Sequence, residues 1–163
     1  MKFSNSDIRR QDRLLDEKRA VELLLNSEYG VISMASESNS IYAVPINYVW
    51  DRKNSIYLHC AKEGRKLRCM DLNPKVSFCI VGNTNVLSSK FTTEYESIIL
   101  ECTARRNLLE HERMNALEIF IDKYSPMDKE TGIKYARKSF FRTEIVRLDI
   151  EKWSGKSKKV NKH

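Results

Sequence analysis

Between Gly30 and Cys60 the chain alternates strand-like runs with short polar gaps, and this rhythm constrains the fold more than any other feature. Gly30 to Ser36, Ile41 to Trp50 and Ser55 to Cys60 each read as a strand. The gaps, Glu37-Ser38-Asn39-Ser40 and Asp51 to Asn54, are of a length and polarity that suit antiparallel hairpins. In the third strand Ile56, Leu58 and Cys60 share one face, and Tyr57 and His59 share the other.

The same reading extends in both directions. Asp16 is a suitable N-cap for an amphipathic helix over 16–27, with Ala20, Val21, Leu24 and Leu25 at helical spacing. Arg65 to Leu72 fits a short helix stopped by Asn73-Pro74. Val76 to Val81 and Tyr95 to Arg106 read as two further strands, joined by a long polar loop from Gly82 to Thr93. Glu110 to Tyr124 returns to helical periodicity, with Met114, Leu117, Ile121 and Tyr124 on one stripe. Lys129 to Ser139 reads as another helix, so a helical insertion covers about 110–139, and Thr143 to Ile150 is a last strand. The predicted fold class is mainly β with flanking helices: an antiparallel barrel over residues 1–151, followed by a basic tail over 152–163.

Composition narrows the function classes. A chain of 163 residues with 41% apolar content suits one domain, and no stretch is apolar for long enough to span a bilayer. The start, MKFSNSDIRRQDR, has no apolar run after its charges, so a cytoplasmic address is expected. Cys60, Cys69, Cys79 and Cys102 form no CxxC pair and read as free thiols, with no metal site. Without the five lysines of the tail, the net charge of +7 falls to +2 (24 basic, 22 acidic), so nucleic-acid binding has weak support. Glycine occurs only at 30, 64, 82, 132 and 155, which excludes GxGxxG and P-loop motifs.

The densest polar cluster is His59-Cys60-Ala61-Lys62-Glu63-Gly64-Arg65-Lys66, at a strand-to-helix junction. Such a junction collects free backbone N–H groups and the positive end of a helix dipole. With Lys62, Arg65 and Lys66 it suits a phosphate monoester, and a charged surface turn is an equally open reading of these residues alone. In the strand Tyr42-Ala43-Val44-Pro45-Ile46-Asn47-Tyr48, proline indicates an edge or a bulge, with peptide groups left free for a flat heterocycle. An ordinary exposed edge is the alternative.

Together, AVPINY and IYLHCAKEGRKL resemble the flavin-binding split-barrel superfamily of pyridoxamine 5'-phosphate oxidase. The pair is most similar to the nitroimidazole-resistance-like branch, in which a P-[IV]-[NS]-[YF] strand precedes an H-x-A-x-x-G-x-K turn. Weaker similarity includes Phe91-Thr92-Thr93, the strand Tyr95 to Ile99, and the ending Ile145 to Ile150 with Ser154-Gly155-Lys156. The resemblance implies an FMN-binding split barrel, Greek-key-like, and a homodimer with FMN at the subunit interface. It implies that Val44, Pro45, Ile46 and Asn47 line the isoalloxazine through backbone groups, with His59, Cys60 and Ala61 beside the ring and ribityl chain. Lys62, Arg65 and Lys66 meet the phosphate, and the strand around Glu96 and Ser97 approaches from the partner subunit. His59 is the catalytic candidate, orienting substrate or relaying a proton, or else simply packing against the ring. Trp153 reads as packing in preference to a flavin cover; His111 and His163 read as solvated.

The implied activity is an FMN-dependent oxidoreductase that reduces small nitro- or quinone-like acceptors with NADH or NADPH. A flavin carrier or sensor without turnover, and a deazaflavin- or haem-using split barrel, are the alternatives. The arginine and histidine with which pyridoxamine 5'-phosphate oxidase holds its own substrate have no match, because Arg142 and Arg147 lie in no R-x-H context.

Overall fold

The computed structural model describes residues 1–38 and 40–159. Eight strands form one sheet: β1 (Lys2–Phe3), β2 (Tyr29–Ala35), β3 (Ile41–Asn47), β4 (Val49–Trp50), β5 (Ser55–Ala61), β6 (Lys75–Leu87), β7 (Thr92–Arg105) and β8 (Thr143–Lys158). Their spatial order is β3-β2-β6-β7-β8-β5-β4, with β1 beside β8. The β1–β8 pair is parallel and the other ladders are antiparallel. β3 and β4 lie at opposite ends of this order, yet Tyr48 alone separates them in the chain. Consecutive Cα atoms are about 3.8 Å apart, so the sheet has to curl until its two ends meet. The result is a barrel split along the seam at Tyr48.

Alternate residues of the strands fill the barrel. Ile32, Ile56, Leu58, Phe78, Ile80, Leu100 and Leu148 are all buried in one core, joined by Ala20, Leu23 and Leu24 of helix α1 (Glu17–Asn26) and by Leu67 and Met70 of α2 (Arg65–Leu72). Asp16 caps α1 by accepting from the Arg19 N–H at 2.9 Å. Two more helices, α3 (Glu110–Tyr124) and α4 (Lys129–Ser139), form a hairpin outside the barrel. Ala116 and Phe120 of α3 bury a second, smaller cluster with Val49, Tyr57 and Ile145. None of the helices among the described residues is long and apolar enough to cross a membrane.

The seam is held from α1 and α3. The Tyr48 hydroxyl donates to the Leu24 carbonyl at 2.6 Å. The Tyr48 N–H donates to the Tyr124 hydroxyl at 3.2 Å, and Lys123 Nζ donates to the carbonyls of Ser27 (2.7 Å) and Tyr48 (3.1 Å). The Lys123 ammonium also sits 4.1 Å from the centre of the Tyr48 ring. Burial lowers its pKa to about 8.

Four expectations need correction. The run Ile41 to Trp50 is two strands, because Tyr48 turns into the core where the chain passes from one end of the sheet to the other. The polar segment 82–93 is no loop: after an irregularity between Val81 and Thr84, β6 and β7 stay paired from Thr84↔Tyr95 to Leu87↔Thr92. The side chains of 83–86 are exposed, so this ribbon shows no apolar alternation. Residues 152–158, expected as a basic tail, continue β8; Lys152 and Lys156 alternate with Trp153 and Gly155, which are buried. Trp153 packs edge-on against Phe3 with ring centres 4.9 Å apart. Lastly, the buried helix positions are Ala20, Leu23 and Leu24 in α1, with Leu25 half-buried, and Ala116 and Phe120 in α3, with Met114, Leu117, Ile121 and Tyr124 half-buried. His111 is exposed, whereas His163 lies outside the described residues.

Candidate functional site

A cleft of about 680 Å³ lies where β3, the end of β5 and the corner between α4 and β8 converge. It is lined by Pro45, Ile46, Asn47, His59, Cys60, Ala61 and Lys66, together with Tyr135, Ser139, Arg142 and Thr143. A second lobe of about 420 Å³ runs between α3 and α4 and shares Asn47, His59, Tyr135, Ser139 and Thr143 with the first.

Each wall has a local cause. Among the described residues β3 pairs with β2 alone, and its other edge carries no ladder. Proline is tolerated in the middle of such a strand where its nitrogen points off the sheet, which places Pro45 with its missing N–H toward that edge. Asn47 is fixed by donating from Nδ2 to the Glu28 carbonyl at 3.0 Å. On β5, His59 lies opposite Ile145 of β8, and its ring meets Phe120 of α3 edge-on, with centres 4.6 Å apart. The imidazole is open to the cleft but walled by protein. That burial, reinforced by the Lys66 charge, pushes its pKa below the ordinary histidine value. Burial pushes the Cys60 thiol up, against an opposing pull from Lys66.

Gly64 carries the turn from β5 into α2 at φ 149°, a conformation that L side chains rarely adopt. Its carbonyl accepts from Leu67 and Arg68 at 3.1 and 3.3 Å, and the first amides of α2 are left without an intrahelical acceptor. Lys66 is half-buried and forms no ion pair with another described residue. Among the described residues, Lys66 and Arg142 are the charged side chains lining this lobe, and no carboxylate lines it. A cationic pocket at a helix start fits a phosphate dianion.

The structure separates the remaining sequence-predicted site residues. Arg65 lies over the Tyr42 ring, 4.2 Å from its centre, and borders a different cavity of about 160 Å³ with Ser36, Glu37, Ser38 and Arg68. Adjacent helical residues diverge by about 100°, so Arg65 and Lys66 face different ways. Lys62 is exposed outside the cleft lining, and the Val44 side chain packs toward the core. Glu96 is buried beside α1, where Arg19 Nη2 donates to it at 2.5 Å and holds its carboxyl below the usual range. Ser97 pairs with Lys156 on β8, and neither residue lines the cleft of its own chain. Sequence reasoning missed Tyr135, Ser139, Arg142 and Thr143, although Tyr135 and Ser139 repeat at i, i+4 along one face of α4.

A family model described as pyridoxamine 5'-phosphate oxidase matches residues 16–157, a span that contains every wall of the cleft. The chain belongs to the pyridoxamine 5'-phosphate oxidase family. No curated protein matches it in sequence. Among solved structures, it is similar to a candidate 5-nitroimidazole antibiotic resistance protein from Bacteroides thetaiotaomicron, at 16% identity and a TM-score of 0.72, over 89% of this chain and 86% of that one. An FAD-binding protein from Mesorhizobium loti is similar at 18% identity and 0.63, over 90% and 97%. An FAD and heme binding protein from Mycobacterium smegmatis is similar at 16% and 0.69, over 91% and 74%. At such identities the likeness shows the shared split-barrel fold.

Proposed function

We propose that the chain binds FMN in this cleft and acts as an oxidoreductase of the nitroimidazole-reductase-like type. One observation carries the reading: the free β3 edge at Pro45–Asn47, the His59–Ala61 strand end and the unpaired Lys66 converge on a single cavity. A flat heterocycle suits the strand edge, and a phosphate suits Lys66, Arg142 and the first amides of α2. Bound there, FMN would supply two-electron chemistry between NADH or NADPH and a small nitro- or quinone-like acceptor. His59, whose pKa is lowered by its protein surroundings and the Lys66 charge, can accept a hydrogen bond or a proton at the mouth between the two lobes. Phe120 packs edge-on against its ring, and the helical hairpin walls one side of the site.

The partner subunit belongs to the same proposal. Val81, Val86, Phe91 and Ile99 are exposed on the β6–β7 ribbon, and Phe91 is 97% exposed, which suits an isologous contact between two copies. The test is the purified protein itself: it should be yellow, dimeric by light scattering, and bleach with NADH or NADPH. A colourless protein that gains no bound absorbance on adding FMN refutes the reading. A haem spectrum would favour a different cofactor on the same fold.

A further inference from the structure

The lobe between α3 and α4 differs in chemistry from the cationic lobe beside it. Leu117, Phe120 and Ile121 of α3 face Ala136 of α4 across it, and Tyr135 stands at the boundary with the first lobe. Among the described residues, no aspartate, glutamate, lysine or arginine lines it. The hairpin is tightly closed on one side of this space: a Cβ on Gly132 would lie 3.0 Å from Ile121 Cγ2, tighter than most real contacts. Next to this contact, the small side chain of Ala136 leaves a volume of about 420 Å³. The space is not sealed, since Asn47, His59, Ser139 and Thr143 border both lobes.

We propose that this lobe is the acceptor site, and that it takes an uncharged, planar ring compound about the size of a naphthoquinone. As an acceptor site it rests on the reductase reading above. A cavity of this size with aliphatic and aromatic walls holds one or two fused rings. A carboxylate, sulfonate or phosphate placed there would lose its hydration with no opposite charge to replace it. Anionic groups belong instead beside Lys66 and Arg142, so the two lobes divide a charged ligand from a neutral one. The polar groups at the boundary, His59 and Asn47 among them, are where a carbonyl or nitro oxygen of the ring compound finds hydrogen-bonding partners.

Equilibrium dialysis of the full chain as purified, with and without added FMN, tests this using menadione and the sulfonated 1,4-naphthoquinone-2-sulfonate. Menadione should bind at one per chain and at least tenfold more tightly than the sulfonate. Ala136→Phe, which fills the lobe, should weaken menadione at least tenfold and leave FMN affinity within threefold. Should circular dichroism show Ala136→Phe to be unfolded, Leu117→Trp fills the same space from α3 and carries the same expectation. Menadione binding that survives a folded filling variant, or a sulfonate whose equally tight binding is lost in that same variant, overturns the proposal. If wild type binds menadione in this pattern but takes up no FMN, the site stands and the flavin reading falls. If FMN binds while menadione does not, the reverse holds.

Discussion

Replacing Lys66 with alanine should weaken FMN binding far more than replacing its neighbour Arg65. The Lys66 side chain is half-buried in the cationic lobe, free of any carboxylate, beside the first amides of α2. A charge-assisted hydrogen bond to a phosphate is worth roughly 1.5–3 kcal/mol. At about 1.4 kcal/mol per decade, its loss corresponds to a roughly 10- to 150-fold rise in Kd. Arg65 lies over Tyr42 and borders another cavity, so it acts on the phosphate through solvent alone. An interaction of that kind is worth about 0.5 kcal/mol or less, roughly a twofold change that salt screens further. Quenching of FMN fluorescence on binding gives both constants, and circular dichroism confirms the fold. Riboflavin, which has no phosphate, serves as the control: its affinity should be the same in wild type and Lys66→Ala. A Lys66→Ala loss within threefold, or a larger loss in Arg65→Ala, would refute the assignment of the phosphate to this lobe.

Three further outcomes follow from the same structure. Lys66→Ala should raise the His59 titration midpoint in proton NMR yet leave it below about 6.5, because burial, the larger cause, remains; a midpoint that stays or falls contradicts this. The folded pKa of Lys123 is near 8, while the unfolded chain holds that proton until about 10.4, so stability relative to Lys123→Met should be flat below pH 8 and rise toward pH 10. Urea unfolding at fixed pH values reads that slope, and a fall with pH would refute it. Trp153→Ala should cost roughly 3–5 kcal/mol in the same assay, as expected of a large core residue, whereas a loss under about 1 kcal/mol would mean that β8 ends before it.

Sequence and structure agree best where punctuation is local. Arg65–Leu72 ends at Asn73-Pro74, and the bounds of Glu110–Tyr124 and Lys129–Ser139 match the expected helices. They part where the deciding contact is distant. Three consecutive leucines, Leu23 to Leu25, leave the rotation of α1 undetermined until the barrel below selects Leu23 and Leu24. Alanine at 116 carries little hydrophobic signal, yet its size lets α3 approach Val49, Tyr57 and Ile145 closely. The lysines of 152–158 dominate that segment's composition and obscure a period-two pattern that its pairing with β7 makes plain. Within the site, Pro45–Asn47 of one motif segment and His59–Ala61 with Lys66 of the other line the cleft, whereas Val44, Lys62 and Arg65 do not. Which of Arg65 and Lys66 faces it depends on the orientation of α2, a property that no local pattern encodes.

The seam explains why the cleft lies where it does. One ten-residue stretch, Ile41 to Trp50, has to serve both ends of a single sheet, and at Tyr48 it leaves one to join the other. Ladder pairing cannot continue through that crossing, so the β3 edge keeps unpaired peptide groups beside the end of β5. The hairpin of α3 and α4, inserted between β7 and β8, covers this place and is tied to it by Tyr124 and Lys123. Recognition of the proposed cofactor therefore rests on backbone at β3 and α2 together with the Lys66 and Arg142 side chains. Selection among acceptors rests on side chains of the hairpin, such as Leu117, Tyr135 and Ala136. Substitutions in the hairpin should accordingly change which ring compounds are accepted before they change whether FMN is held.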